Sequence, residues 1–375
     1  MFGSADYSTC MRIAIVAPPW VPVPPVGYGG TELIVDCLAR GFLEAGHETL
    51  LYTVPESTCP VPRKAVLPFA DRTRLNWTEV ELNHLIHAYE AVQGFDIVHD
   101  HTLLGPIYSE RFPNLRVVTT QHHPYDTRFR DIFRSSSARV PIVAISKSQA
   151  ARAPGLAIEK VIHHGLDPER FVFQPKSSDY FLFLGRMSPN KGVHRAVQVA
   201  REAGVKLKIA ARMSDTEGER EYFQEQVLPY LTDDIEYVGE VAGQEKTDLL
   251  SNARALLNPI RWPEPFGLVM IEAMASGTPV LSFAEGAAPE IVADGISGWI
   301  CRDEDDMIQR VREVDKISRA DCREHMETHF SAKRMVNDYL EYFEELVSRD
   351  VPPRSPRDSV VRETMSAVQR ETGNL

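Results

Sequence analysis

The stretch Glu264–Leu281, EPFGLVMIEAMASGTPVL, decides how the rest of this chain is interpreted. It opens with a carboxylate between Pro263 and Pro265, and proline fixes φ and biases the preceding residue away from helix. Glu264 is therefore expected in a stiff, extended loop. The apolar run that follows predicts a buried helix that ends at Gly277, and the next apolar run predicts a buried strand.

A loop that enters a helix in this way is an anion-binding site. The first amides of a helix have no partner within it, and the helix dipole adds positive charge there. Phe266, Gly267 and Leu268 offer such amides, and Gly267 lets a ligand approach the backbone closely. Glu264 and Glu272 flank them, which suits a ligand with both phosphate and hydroxyl groups. A surface helix with two solvated glutamates is disfavoured, because the helix is mostly apolar and a buried glutamate needs a partner.

The motif PEPFGLVMIEAMASGTPV resembles the E-x7-E signature of the retaining GT-B glycosyltransferases of family 4, also called group 1. The resemblance implies an α/β fold in which two Rossmann-like, doubly wound domains face a cleft and a C-terminal helix crosses back to the first domain. It also implies a nucleotide-diphosphate sugar as donor, held mainly by the C-terminal domain. Glu264 is then expected to orient the sugar hydroxyls and Glu272 to hold the ribose. The donor-binding set in this segment is Glu264, Phe266, Gly267, Leu268, Val269 and Glu272.

Length and composition are those of an ordinary soluble globular protein of two or three domains, with 375 residues, 43% hydrophobic and 25% charged. A net charge of −12 argues against nucleic acid as a partner and leaves only a local basic patch for peripheral membrane contact. The five cysteines include no C-x-x-C pair, so we expect reduced thiols and a cytoplasmic location. We expect neither a secretory signal nor a transmembrane segment, which needs about 20 apolar residues.

A second phosphate cradle is predicted near the start of the chain. The buried-strand pattern MRIAIVA is followed by a glycine-rich loop and by a helix that begins at Thr31. By the same helix-terminus argument, Gly29 and Gly30 can approach a phosphate. On the residues alone, a plain tight turn explains the glycines equally well. The family carries a glycine-rich loop here, beside the donor diphosphate and the acceptor, and the resemblance gives Gly29 and Gly30 that role, with Tyr28 on the acceptor side.

Histidines follow two predicted strands of the first half. FDIVHDH puts His99 and His101 on one face of a strand, which a metal could use. Polar residues at the cleft end of a strand are the preferred interpretation, because no third ligand is evident. TQH resembles the family's T-x-H, which implies that His122 contacts the donor sugar near its reacting carbon, with His123 as second candidate. A satisfied core histidine is as good an interpretation on the residue alone. Later, His164 stands where the family often has asparagine.

The strand–loop–helix pattern restarts at Tyr180 and predicts a second domain. GRMSPNKG resembles the family's G-R-x-x-x-x-K-G, whose cations hold the diphosphate, and this assigns Arg186 and Lys191. Two fixed cations stabilise a diphosphate leaving group as it gains charge in the transition state. The alternative, a surface loop with solvated cations, is disfavoured by the strand–loop–helix context. Gly239 ends another predicted strand and permits close approach of a base or ribose.

The predicted domain organisation has five parts. They are an N-terminal acceptor-side domain at 1–172, a hinge at 173–179, a C-terminal nucleotide-sugar domain at 180–330, a crossing helix at 331–350 and a tail at 351–375 that is a short helix or disordered. The acidic run at 302–306 invites a metal, but a helix N-terminus, which favours acids, explains it better.

The resemblance implies a retaining hexosyltransferase that moves a sugar from a UDP- or GDP-sugar to an acceptor hydroxyl, without an essential metal or other cofactor. The expected catalytic residues are His122, Glu264, Arg186 and Lys191. The alternatives are a GT-B sugar-nucleotide epimerase and a non-catalytic sugar-nucleotide-binding protein. The second is weaker, because none of the charged donor residues is missing. The acceptor is an unknown saccharide, lipid or small molecule.

Overall fold

The computed structural model describes residues 10–125, 129–136, 139–213 and 217–349. These residues form two units in which parallel strands alternate with helices. The first contains β1 (Arg12–Val16), α1 (Gly30–Glu44), β2 (Glu48–Tyr52), β3 (Arg63–Lys64), α2 (Thr78–Ala91), β4 (Ile97–Asp100), α3 (Gly105–Tyr108), β5 (Val117–Thr120), α4 (Arg130–Ser136), β6 (Ile142–Ala144), α5 (Lys147–Ala151) and β7 (Ile158–Val161).

The second unit contains β8 (Tyr180–Arg186), α6 (Val193–Ala203), β9 (Lys206–Arg212), α7 (Glu217–Gln226), β10 (Ile235–Gly239), α8 (Gly243–Asn252), β11 (Leu256–Asn258), α9 (Leu268–Ala275), β12 (Val280–Phe283), α10 (Ala288–Ile291), β13 (Gly298–Cys301) and α11 (Glu304–Glu313). Two helices close the described chain, α12 (Arg319–Phe330) and α13 (Ala332–Ser348). The predicted tail at 351–375 lies outside the described residues.

Both sheets are parallel and reverse their strand order once. The first runs β3-β2-β1-β4-β5-β6-β7 and the second β10-β9-β8-β11-β12-β13. Their central strands are apolar on both faces, as parallel strands covered by helices must be: Ile13 to Val16 of β1 and Phe181 of β8 are inaccessible to solvent. The prediction of two doubly wound α/β sheets is confirmed. Each order reverses between two strands, β1 and β4 or β8 and β11, where such sheets bind ligands.

The end of the chain crosses from the second unit to the first. Helix α12 packs on α9, and α13 packs on α1. The crossing is tight, because a Cβ on Gly41 of α1 would lie 2.3 Å from Cγ2 of Val336. The ring of Phe343 lies 5.6 Å from that of Phe42, and the Tyr339 hydroxyl is 2.7 Å from Oγ1 of Thr120 at the end of β5. The predicted crossing helix is confirmed and reaches the cleft end of the first sheet.

Side-chain caps begin two helices near the C-terminus. Helix α13 starts after Ser331, whose hydroxyl accepts from the Arg334 amide. The acidic run is confirmed as a helix start, since the Asp303 carboxylate accepts from the amide of Asp306 at 2.9 Å. No helix within the described ranges is long and apolar enough to cross a membrane.

Candidate active site

The N-terminus of α9 faces the cleft at the carboxyl edge of the second sheet. Gly267 precedes the helix with φ 96°, a left-handed conformation that favours glycine. A Cβ there would lie 2.6 Å from Cε of Met270, so space also requires glycine. The amides of Gly267, Leu268 and Val269 have no hydrogen-bond partner among the residues the structure describes. These amides are therefore open backbone donors, and that an anion binds them stays a prediction.

Glu264 and Lys191 pair with each other directly in front of this cradle. The Lys191 ammonium contacts Oε2 of Glu264, and the Trp262 indole N–H donates to the same oxygen at 2.8 Å. The Glu264 backbone is held as well: its carbonyl accepts from the amide of Ala287 at 3.0 Å. A Cβ on Gly286 would come within 2.3 Å of that carbonyl oxygen. The loop that presents Glu264 is thus held in one position by its own contacts.

Arg186 is the unpaired cation of the site. It ends β8, and its Cα partner in the sheet is Arg212 at the end of β9. The half-buried Arg186 guanidinium makes no ion pair and no hydrogen bond with a residue in the described part of the chain. The loop after it turns at Gly192, φ 81°, where a Cβ would lie 2.3 Å from the carbonyl oxygen of Pro259. Arg186 is therefore available to a ligand without losing a protein contact.

Glu272 of α9 is buried, as expected, and has a partner that the sequence did not identify. Its Oε1 accepts from the Lys246 ammonium of α8 at 2.7 Å, and its side chain is 7% exposed. The sequence indicated that a buried glutamate needs a partner, but several lysines were available to supply it. Gly239, at the end of the edge strand β10, has φ 87° and open space on its Cβ side. This leaves room beside it for a flat group.

The glycine-rich loop of the first unit meets α9 across the cleft. A Cβ on Gly30 would lie 3.0 Å from Cδ1 of Leu268, so the N-termini of α1 and α9 approach each other. Gly29 is packed against the ring of Pro25. The Tyr28 ring lies 5.4 Å from the Arg212 guanidinium of the opposite unit. Two positively polarised helix starts thus converge on one space, which favours an anion there.

His122 lies in a row of three bonded imidazoles. Its Nε2 is 2.9 Å from Nδ1 of His101, and its Nδ1 is 3.2 Å from Nε2 of His164. The three rings stack with centroid distances of 5.2 and 5.0 Å. A ring nitrogen of His122 can therefore contact a sugar only if one of these bonds opens. The sequence did not predict the row, although His101 and His164 each stood out for another reason.

Burial keeps these histidines neutral. It lowers the pKa of His122 and His101 well below the usual value, and neighbouring rings add to the effect. Burial, with Arg334 nearby, lowers the pKa of His164 to about 3. Each neutral ring carries one N–H. Both hydrogen bonds of the row can therefore form if His101 donates to His122 and His122 donates to His164, or if both bonds run in the opposite direction.

The alternative of a metal site at His99 and His101 is not supported by their contacts in the described part of the chain. His99 and His101 do share a face, with ring centroids 4.1 Å apart. However, Nε2 of His99 is 2.8 Å from Oγ1 of Thr120, while His101 bonds His122. The described ranges contain no group of three or more His, Cys, Asp or Glu side chains placed to hold a metal ion.

Several contacts join the two units beside the loop that presents Glu264. The Glu290 carboxylate accepts from the amides of Lys147 and Ser148 at 2.8 and 2.6 Å, at the start of α5, and lies 2.9 Å from Nε2 of His163. The Phe266 ring is buried between the units, 5.0 Å from the His164 ring. Phe266 can thus offer a ligand in the cleft only its backbone.

Comparison with known proteins agrees with this architecture. A model of Glycosyltransferase Family 4 matches residues 28–170, and a model of Glycosyl transferases group 1 matches residues 168–329. The chain is 32% identical over 352 residues to the glycogen synthase of Mycobacterium tuberculosis (strain CDC 1551 / Oshkosh), an alignment that covers 79% of this chain and 83% of the relative.

Solved structures share the fold over nearly the whole chain. AviGT4, a glycosyltransferase involved in avilamycin A biosynthesis, has a TM-score of 0.70 and 26% identity, covering 91% of this chain and 99% of that one. Anabaena HepE, solved with UDP and glucose, has a TM-score of 0.71 and 16% identity, covering 89% and 99%. Sequence, sheet topology and these matches lead to one conclusion: the chain belongs to the group 1, or family 4, glycosyltransferases and has their GT-B fold.

Proposed function

We propose that this glycosyltransferase is a retaining, metal-independent hexosyltransferase of the EC 2.4 type that uses a UDP- or GDP-sugar. The observation that carries the proposal is the approach of two helix starts, because the open amides before α9 lie opposite the start of α1. Two cations of the same unit accompany them: Lys191 pairs with Glu264, which precedes these amides, and Arg186 is unpaired at the end of β8. A diphosphate is the part of a nucleotide sugar that needs such a set of donors.

The leaving group would be stabilised by these same groups. As the bond between the anomeric carbon and the phosphate oxygen breaks, negative charge grows on the diphosphate. Arg186 can hold two oxygens with its planar guanidinium, while Lys191 acts as a point charge. The amides of Gly267 and Leu268, with the Gly29–Gly30 loop opposite, complete the cradle. Groups fixed before the reaction stabilise the transition state without reorganising.

Donor binding is proposed to exchange partners between Lys191 and Glu264. Lys191 and Glu264 form an ion pair with each other. A diphosphate would attract Lys191 and leave the Glu264 carboxylate, still held by the Trp262 indole, to accept hydrogen bonds from sugar hydroxyls. One carboxylate oxygen of Glu272 accepts from Lys246, and the other is proposed to accept from the ribose. Gly239 and Val269 are proposed to lie beside the base and ribose.

His122 is proposed to lie against the donor sugar near its reactive end. Because its pKa is far below neutral, it would act as a neutral polar contact and not as a general acid. Retention is proposed to follow attack by the acceptor hydroxyl on the face that the phosphate leaves. The oxygen bonds the anomeric carbon, the phosphate oxygen departs, and that oxygen takes the acceptor's proton.

No metal is required in this scheme, because Arg186 and Lys191 supply the charge that a divalent cation would otherwise bring to a diphosphate. The structural neighbour solved with UDP and glucose supports UDP among the candidate nucleotides, and the glycogen synthase supports a hexose as the transferred group. The acceptor is proposed only as a hydroxyl-bearing saccharide, lipid or small molecule. The protein is proposed to work in the cytoplasm, where its five free thiols would stay reduced.

Thermal unfolding with UDP, GDP, ADP and their glucose, mannose and N-acetylglucosamine conjugates tests the donor site. A ligand at 100 times its Kd adds about 2.7 kcal/mol of stability, so one nucleotide should stand out, with or without EDTA. Arg186→Ala should abolish the shift, whereas Arg201→Ala on the exposed side of α6 should keep it. No shift from any nucleotide in the wild-type protein would refute the proposal. A donor isomerised without acceptor would instead identify an epimerase.

A further inference from the structure

One buried carboxyl in the described part of the chain stands apart from the others. Five carboxylate side chains there are buried, and Glu32 is one of them, 6% exposed. The other four have protein partners. Two of them form ion pairs: Asp36 with Arg40 and Arg170, and Glu272 with Lys246. The other two accept hydrogen bonds: Glu81 from the amides of Leu103 and Leu104, and Asp100 from Tyr89 and Thr102. The Glu32 carboxyl makes no ion pair and no hydrogen bond with another described residue. A buried polar group in this state costs stability unless something else satisfies it.

The Glu32 carboxyl lies at the cleft. Glu32 is in the first turn of α1, and its Oε2 would lie 3.0 Å from a Cβ on Gly29, directly under the glycine-rich loop. The next residue of that loop, Gly30, packs against Leu268 of the opposite unit. Glu32 keeps 6% of its area exposed beside this loop, which leaves access for a small polar group only.

The electrostatics around Glu32 suit a neutral hydrogen-bond donor. Burial raises the pKa of Glu32 to about 7, opposed by its own amide and by the positive charge of Arg72. Arg72 is the charged side chain that acts on it, from a loop whose guanidinium donates to the Tyr28 carbonyl at 3.2 Å. An anion would be repelled by the ionised carboxylate, and a hydroxyl can donate to it. The carboxyl itself is therefore better suited to a hydroxyl group than to an anion.

We propose that Glu32 is an acceptor-binding residue whose carboxylate accepts a hydrogen bond from the hydroxyl that attacks the donor sugar. This rests on the function proposed above. Glu32 accepts this hydrogen bond before the reaction and so orients the hydroxyl oxygen toward the anomeric carbon. As the reaction proceeds, the hydroxyl turns its proton from Glu32 to the departing phosphate oxygen. The new bond joins that oxygen to the anomeric carbon, the bond to the diphosphate breaks, and the proton leaves on the departing phosphate oxygen. Because only the ionised carboxylate accepts strongly, the rate should rise with pH as Glu32 ionises.

Water serves as the test acceptor, because donor hydrolysis needs no knowledge of the natural one. Hydrolysis of UDP-glucose, or of the donor selected by the thermal panel, is measured from pH 5.5 to 8.5 in the full chain. If the wild-type protein binds donor without hydrolysing it, transfer to methyl α-glucoside, myo-inositol and glycerol is measured instead. The variants are Glu32→Gln and Glu32→Ala, with Glu44→Gln at the exposed end of the same helix as the matched control. UDP affinity is measured for each.

The wild-type rate should rise with pH around 7. Glu32→Gln should be slower by about tenfold to a hundredfold at pH 8, which is the effect of losing one charge-assisted hydrogen bond. It should also lose the rise near neutral pH while its UDP affinity stays within twofold. Glu44→Gln should behave as the wild type.

An unchanged rate and pH profile in Glu32→Gln would overturn the proposal. An equal loss of UDP affinity would also overturn it, by assigning Glu32 to the donor site. In both cases the wild-type protein still binds the donor, so the function proposed above survives. If the wild-type protein binds no nucleotide at all, that function fails first.

Discussion

Replacing Glu32 by Gln should make the free protein more stable at alkaline pH. The change keeps the shape of the side chain and removes its charge. The pKa of Glu32 is raised by burial from 4.5 to about 7, so the folded protein opposes ionisation that the unfolded chain permits. Each pKa unit corresponds to about 1.4 kcal/mol. Ionised Glu32 therefore lowers the free energy of unfolding by about 3 kcal/mol.

The pH window follows from the direction of the pKa change. Below about pH 4.5 the carboxyl is protonated in both states, so it contributes no pH-dependent difference. As the pH rises from 4.5 to 7, the unfolded chain loses its proton while the folded protein retains it, and wild-type stability falls relative to the Gln variant. Above pH 7 the difference is complete and constant.

Chemical or thermal unfolding across this range measures the difference. At pH 8, Glu32→Gln should raise Tm by about 4 °C if both domains unfold together, and the gain should shrink toward pH 5. Glu44→Gln, which removes an exposed charge from the same helix, should change stability by less than about 0.5 kcal/mol at every pH. Equal stability of Glu32→Gln and wild type at pH 8, or a gain that does not depend on pH, would refute the account of a desolvated, unpartnered carboxylate.

Three further predictions concern the donor loop and the contact between the domains. Lys191→Ala should lower kcat by about 10²-fold or more in donor turnover, and an unchanged kcat would remove Lys191 from the site. Gly267→Ala should lower the free energy of unfolding by about 1–3 kcal/mol, because φ 96° is strained for alanine and the new Cβ would contact Met270. A loss below about 0.5 kcal/mol, the size of an ordinary surface substitution, would contradict this account of the turn. Burial opposes ionisation of Glu290, but bonds from His163 and two amides lower its pKa. Glu290→Gln should therefore lose about 1–3 kcal/mol at pH 7, and this loss should shrink as acid protonates Glu290; a loss that is the same in acid would argue against the ion contact.

The phosphate-binding half of the site could be predicted from sequence because it uses local backbone devices. A glycine that precedes a helix, a cation in a strand–loop–helix turn and a proline-flanked glutamate are separated by a few residues. Their geometry follows from short-range rules of φ and hydrogen bonding. Gly267 and Gly192 adopt the positive φ values that such turns require.

The side-chain pairs of the site could not be predicted, because their members lie far apart in sequence. Lys191 and Glu264 were both assigned to the donor, and nothing local indicated that they neutralise each other in its absence. The row through His122 requires β4, β5 and the segment after β7 to lie side by side, a register that only the complete sheet sets. The pair of Lys246 and Glu272 joins two different helices, α8 and α9, so it too depends on the tertiary fold.

The candidate site combines charged groups that have protein partners with charged groups that have none, and this difference is proposed to separate donor from acceptor recognition. Lys191 and Glu264 pair with each other, so a donor must exchange that contact, which costs part of its binding energy and favours a ligand that satisfies both charges at once. Glu272 can keep its pair with Lys246. Arg186 and Glu32 have none within the described ranges. Arg186 can therefore capture a diphosphate without losing a contact, while Glu32 remains destabilising until a hydroxyl reaches it. Because the pKa of Glu32 is about 7, the carboxyl is only partly ionised at neutral pH. A hydroxyl that donates to the carboxylate favours the ionised form. Stability lost in the free enzyme is then recovered in the complex that reacts.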